Sequence, residues 1–188
     1  MKNLDYAVSQ AETVSLSDSD IKELTKGKCN VMLYSDLMNY DTIDQVLGQH
    51  GAVVLLYQTN ERLYGHFVSL FKHPSKQNTL IFYDSYGLKM DAELKFSKFN
   101  ISNMGGLEPH LSNLIQKSKY LVESNSKRLQ KNYKDDNTCG RYAAMRIVFR
   151  ELDNNQFNHM IASNKHYDSD YAITILSLYH EDFVNILK

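Results

Sequence analysis

Proline and glycine are scarce in this chain, two and eight among 188 residues. That leaves little room for a disordered linker, and the whole of residues 1–188 reads as a single domain. No apolar run approaches the ~20 residues that a membrane-spanning helix needs. The opening Met1-Lys-Asn-Leu-Asp-Tyr6 lacks the apolar segment of a secretory signal. The expectation is a soluble protein made and used inside a cell, not secreted and with no membrane partner. Cysteine is equally sparse, at Cys29 and Cys139 alone. A disulfide framework needs more, so a reducing compartment and two free thiols are expected. Charge of one sign is also missing: the net charge is −1 and the pI is near 6.6. A nucleic-acid footprint usually shows a basic excess, so nucleic acid is not a favoured partner. The basic stretch from Lys117 to Lys134 reads as a solvated face. The seven histidines show no metal-ligand spacing with cysteine, and neither metal nor other cofactor is expected.

What is present reads as globular, with 43% hydrophobic and 23% charged residues. Ser15 to Leu24 has serine and aspartate where a helix start wants them. Asp36 to Leu47 suits a second short helix or a pair of turns. Then the period changes. Ala52–Tyr57 is a continuous apolar run typical of a buried strand, followed by strands His66–Phe71 and Thr79–Tyr83. The loop Lys72–Asn78 has turn chemistry, and the three strands read as an antiparallel meander. Helices are expected over Leu107–Tyr120, from Cys139 to about Leu152 with Asn137-Thr138 as its cap, and from about Asp168 to Leu187. The order of helices, then strands, then helices argues an α+β fold.

Cys139 lies in Asn137-Thr-Cys-Gly-Arg-Tyr-Ala-Ala144, at the expected start of an amphipathic helix. A helix N-terminus presents free N–H groups and a positive partial charge, which favour the nucleophilic thiolate. A free cysteine is also commonly a small buried hydrophobe, so position alone leaves the two readings about even. Gly140 beside it is expected to leave space for a substrate carbonyl. His66 opens a strand next to Gly65, and Asp84 follows the apolar strand that ends at Tyr83. In a hairpin centred on Ser75, position i pairs with 150 − i, and His66 faces Asp84. Directly opposed Cβ atoms lie about 4.5–5.5 Å apart, which suits a carboxylate holding an imidazole. A one-residue slip would break the pairing. A histidine that takes the thiol proton and an acid that orients it are what thiol-based acyl transfer needs. The Cys139 N–H is one oxyanion donor, and Gln130 and Asn132 are candidates for a side-chain donor. Cys29 reads as structural.

These residues resemble a known family. Gly65-His66-Phe67-Val68, Phe82-Tyr83-Asp84-Ser85-Tyr86-Gly87, Leu129-Gln130 and Asn137-Thr138-Cys139-Gly140-Arg141-Tyr142 look like the motifs of adenovirus-type (adenain) and Ulp-like cysteine peptidases. The Thr-Cys-Gly-Arg form is most like that of capsid-maturation proteases of virophages and Maverick/Polinton-type elements. The resemblance covers roughly residues 16 to 150. It implies a papain-like core in permuted order, with a mainly antiparallel central sheet flanked by helices. It implies a monomeric thiol endopeptidase that cleaves viral capsid-protein precursors next to small residues such as glycine. The catalytic residues would be His66, Asp84, Cys139 and Gln130, and the setting the virion and the assembly site in host cytoplasm. Phe67 stands where many relatives have tryptophan. Gln130 is nine residues before Cys139, further than the usual six or seven, so Asn132 stays open beside it as the donor. The alternatives are an isopeptidase acting on a ubiquitin- or SUMO-like modifier, and an inactive relative that binds protein tails.

Overall fold

The computed structural model describes residues 2–59, 65–96, 108–131, 137–163 and 165–186, with backbone alone at residue 2 and at 181–186. Helices α1 (Lys2–Glu12) and α2 (Asp18–Leu24) come first, then strand β1 (Asn30–Leu33). A 3-10 turn (Tyr34–Asn39) and α3 (Ile43–Leu47) lead to β2 (Ala52–Gln58), β3 (Gly65–Lys72) and β4 (Thr79–Tyr83). After a 3-10 turn (Ala92–Phe96) come α4 (His110–Gln116), β5 (Leu121–Ser124), α5 (Cys139–Val148), α6 (Asn154–Ala162) and α7 (Ser169–Ile186).

The five strands form one mixed sheet in the order β1-β2-β3-β4-β5. The expected meander is its centre, since β2–β3 and β3–β4 pair antiparallel. Both outer pairings, β1–β2 and β4–β5, are parallel. The sheet is therefore mixed rather than mainly antiparallel. The two outer strands are only four residues long, too short to show a clear period.

Each strand buries alternate residues on opposite faces. Val54, Leu56, Phe67, Phe71, Ile81 and Tyr83 pack with α2, α5, α6 and α7. Val53, Leu55, Tyr57, Val68, Leu70 and Phe82 pack with α3, α4 and the first 3-10 turn. Helices thus cover both faces, and fully burying one such side chain is worth about 1.5–3 kcal/mol. The helix starts follow capping chemistry. Ser17 begins α2 and Thr42 begins α3, each with a reciprocal capping box.

Arg146 fastens α5 to the sheet. It is fully buried, with its guanidinium over Phe71 at 4.8 Å and over Phe157 at 5.2 Å. Its N–H groups donate to the carbonyls of Phe149 and Leu152 and to Asn154 Oδ1. Burial pulls its pKa down to about 10. Among the described residues, no helix is long and apolar enough to cross a membrane.

Candidate active site

Strands β3 and β4 deliver the histidine and the aspartate. His66 is the second residue of β3, and Gly65 before it is dictated by close approach. A Cβ at position 65 would lie 2.0 Å from the Tyr57 carbonyl oxygen of β2, so only glycine fits there. The register differs from the expectation. Ser69 sits opposite Tyr83 and Leu70 opposite Phe82, so i pairs with 152 − i rather than 150 − i. A slip of two keeps every side chain on its face, and diagonal neighbours stay within reach of long side chains. His66 and Asp84 therefore still meet: Nε2 lies 3.1 Å from Asp84 Oδ1.

Asp84 is wholly buried. Its Oδ1 also accepts the Tyr86 N–H at 2.7 Å. Asn125 grips its backbone from both sides. The Asp84 N–H donates to Asn125 Oδ1 at 2.9 Å, and Asn125 Nδ2 donates to the Asp84 carbonyl at 2.7 Å. The Tyr86 ring stacks on the imidazole at 4.5 Å and 15°, and the Arg128 guanidinium lies over the Tyr86 ring at 5.1 Å.

His66 is 5% exposed. Burial works against its charged form, but hydrogen bonding to Asp84 and to Cys139, with the charge of both, outweighs that cost. The imidazole pKa rises to about 10. With Nε2 held by Asp84, the other ring nitrogen is the one left for the thiol.

Cys139 is the first residue of α5 and its thiol is free and half-buried. Cys29 is buried, its thiol donates to Thr25 Oγ1 at 3.4 Å, and burial pushes its pKa up. One local expectation is corrected. Thr138 occupies the cap position with a helical ψ of −7° and makes no side-chain cap. Its hydroxyl donates instead to Asp170 Oδ1 at 2.9 Å. At Gly140 the missing side chain makes room for packing. A Cβ there would meet Leu16 Cβ at 3.1 Å and Phe67 Cδ2 at 3.4 Å.

Gln130 is 1% exposed and joins this neighbourhood through the loop after β4. Its Oε1 accepts the Ser85 hydroxyl at 2.6 Å. The Gln130 and Leu129 N–H groups both donate to the Ser85 carbonyl. Asp170 then ties the two ends of the next loop, with Oδ2 accepting the Lys131 N–H at 2.9 Å while Oδ1 holds Thr138. Asn132, the alternative donor, lies outside the described residues.

Asn125, Glu93 and Asp170 carry no signal in the sequence, and Ser85 and Tyr86 stand there only as part of the stretch around Asp84. Glu93 is 7% exposed, and burial raises its pKa, opposed by His66 and reinforced by Asp84. It lines a cavity of about 320 Å³ with Tyr86, Leu88, Phe96 and Arg128. One ligand-type atom each from His66, Asp84 and Glu93 lies within 4.8 Å of the others. That set could hold a divalent cation, although His66 and Asp84 already bond to each other there.

Taken together, sheet and site define an α+β protein in which a half-buried thiol, an imidazole and a carboxylate converge at one end of the central strands. By sequence the chain belongs to the family of the uncharacterized protein V9 of Sputnik virophage. The two are 37% identical over 164 residues, 86% of this chain and 89% of that protein. No protein-family model matches the chain. Among solved structures, the central domain of the uncharacterized Lpg1148 protein from Legionella pneumophila aligns with a TM-score of 0.41 and 12% identity, over 93% of this chain and 99% of that one. A de-sumoylating protease aligns with a TM-score of 0.38 and 12% identity, over 92% and 85%.

Proposed function

We propose that this protein is a cysteine endopeptidase that processes capsid-protein precursors in a virophage-like particle, cutting next to small residues such as glycine. The observation that carries the reading is the buried His66–Asp84 pair, 3.1 Å apart, with the Cys139 thiol acting on the same imidazole. In this reading the Cys139 sulfur attacks the scissile carbonyl carbon, and the carbonyl π electrons move onto oxygen. The proton from the thiol resides on His66. The tetrahedral intermediate collapses as the C–N bond breaks, and His66 gives that proton to the leaving amine. A thioester to Cys139 is left. Water then attacks it, its proton passing to His66 and on to the sulfur as the C–S bond breaks. Asp84 holds the ring throughout and stabilises the imidazolium. The oxyanion is held by the N–H of Cys139 and by Gln130. The virophage setting comes from kinship with V9, and the substrate class from the resemblance of the motifs around His66, Asp84 and Cys139.

The test is incubation of the purified protein with a virophage capsid precursor, followed by mass spectrometry of the new termini. Wild type should generate discrete termini next to small residues, and folded Cys139→Ala none. Termini produced equally by both proteins would sink the assignment. A precursor left intact while a ubiquitin-like conjugate is cleaved would move it to the isopeptidase class.

A further inference from the structure

We propose that Ser85 is a positioning residue that fixes the Gln130 amide with Nε2, not Oε1, turned toward the substrate oxygen at Cys139. The proposal rests on the peptidase reading and adds a residue to it. A glutamine amide is nearly symmetric in shape and opposite in chemistry at its two ends. With Nε2 inward it donates to a developing oxyanion. With Oε1 inward it repels that charge, so a freely turning amide spends much of its time in the wrong state.

Three observations place Ser85 in control of that choice. Its hydroxyl meets Gln130 Oε1 at 2.6 Å. That length suits O–H···O, and it is short for an amide N–H donating to a hydroxyl, which prefers about 2.7–3.2 Å. Both residues are about 1% exposed, so water is a poor substitute for either partner. The Ser85 carbonyl also accepts the Gln130 N–H at 3.1 Å and the Leu129 N–H at 2.9 Å, so backbone and side chain of Gln130 are set by one residue. With Oε1 taken by the Ser85 hydroxyl, the end of the amide left to face a ligand is Nε2 with its two donors. Asp170 ties the two neighbouring stretches of chain together, since its carboxylate joins Lys131, one residue past Gln130, to Thr138, one before Cys139. Ser85 directly follows Asp84, so a single turn after β4 orients both the acid that serves the histidine and the amide that serves the oxyanion.

The experiment measures kcat and KM on a glycine-containing peptide for wild type, Cys139→Ala, Ser85→Ala, Ser85→Cys, Gln130→Ala and the Ser85→Ala/Gln130→Ala double variant, with thermal midpoints recorded for each. Losing an oxyanion donor costs about 10²–10³ in rate, so Gln130→Ala should fall by that order. Ser85→Ala should lose roughly tenfold or more in kcat, within that ceiling, with KM changed less than about twofold. Ser85→Cys keeps the packing but donates weakly, and should fall with Ser85→Ala. The double variant should be no slower than Gln130→Ala, because a residue acting only through another has nothing left to orient. Wild-type kcat in both Ser85 variants would overturn the inference, as would multiplicative losses in the double variant or wild-type kcat in Gln130→Ala. Activity persisting in Cys139→Ala would instead overturn the peptidase reading itself.

Discussion

At the scale of single residues, the centre of this protein is an imidazole held by opposing forces. Burial disfavours charge on His66, yet its hydrogen bond to Asp84 and the partnership with Cys139 lift its pKa from 6.5 to about 10. A folded-state pKa above the unfolded value has a defined consequence. The stability that this proton contributes is complete below about pH 6.5 and is lost as pH rises through about 10. Chemical denaturation of wild type should show stability falling across that window. Asp84→Asn removes the charge and the strongest raising contact, so its profile should be flatter there. An unchanged slope in Asp84→Asn would disconnect the pair from stability. On activity, Asp84→Asn should slow peptide cleavage less than His66→Ala, since the asparagine can still orient the ring while nothing replaces the base. Wild-type rates in both would remove the pair from the chemistry.

At the scale of elements, the site depends on how closely β2 and β3 approach. Gly65→Ala places a methyl group 2.0 Å from the Tyr57 carbonyl, which backbone alone must relieve. Overpacking of this kind costs typically 1–3 kcal/mol and occasionally more, and the upper end is expected here. Urea unfolding checks it, and a loss under about 0.5 kcal/mol would show that the strands part easily. The elements legible in the sequence were those with a strong period or a local cap. The strand run Ala52–Tyr57 and the alternation of apolar positions in α5 were both clear. The short strands β1 and β5 were not, because four residues carry almost no pattern and their pairing is fixed by neighbours far along the chain. Helices α1 and α6 were also missed. Helix α1 is mean-polar and its exposed Leu4 and Tyr6 blur the apolar stripe. The signal for α6 was present in the Asp153 capping box with Gln156. The hairpin register differs by two residues from the expected one, and His66 and Asp84 still meet because an even slip preserves their face.

At the scale of the whole molecule, the proposed site draws on three parts of the chain. The meander supplies His66 and Asp84, the loop to residue 131 supplies Gln130, and α5 supplies Cys139. The candidate site residues were legible because each sits beside a local signature: glycine before the histidine, an apolar strand before the aspartate, a helix start at the cysteine. Their supports were not. Asn125 acts on Asp84 from 41 residues away and Asp170 on Thr138 from 32, and neither has a neighbour in sequence that announces its partner. The central claim is that this gathering makes Cys139 a nucleophile while Cys29 stays a buried structural thiol. The most direct measurement is the rate of alkylation of each cysteine by iodoacetamide near neutral pH, followed by peptide mass spectrometry, in wild type and in His66→Ala. Cys139 should be modified at least tenfold faster than Cys29, and that advantage should shrink sharply in His66→Ala while Cys29 is unchanged. Equal rates at the two cysteines in wild type, or a Cys139 rate indifferent to His66, would contradict the account.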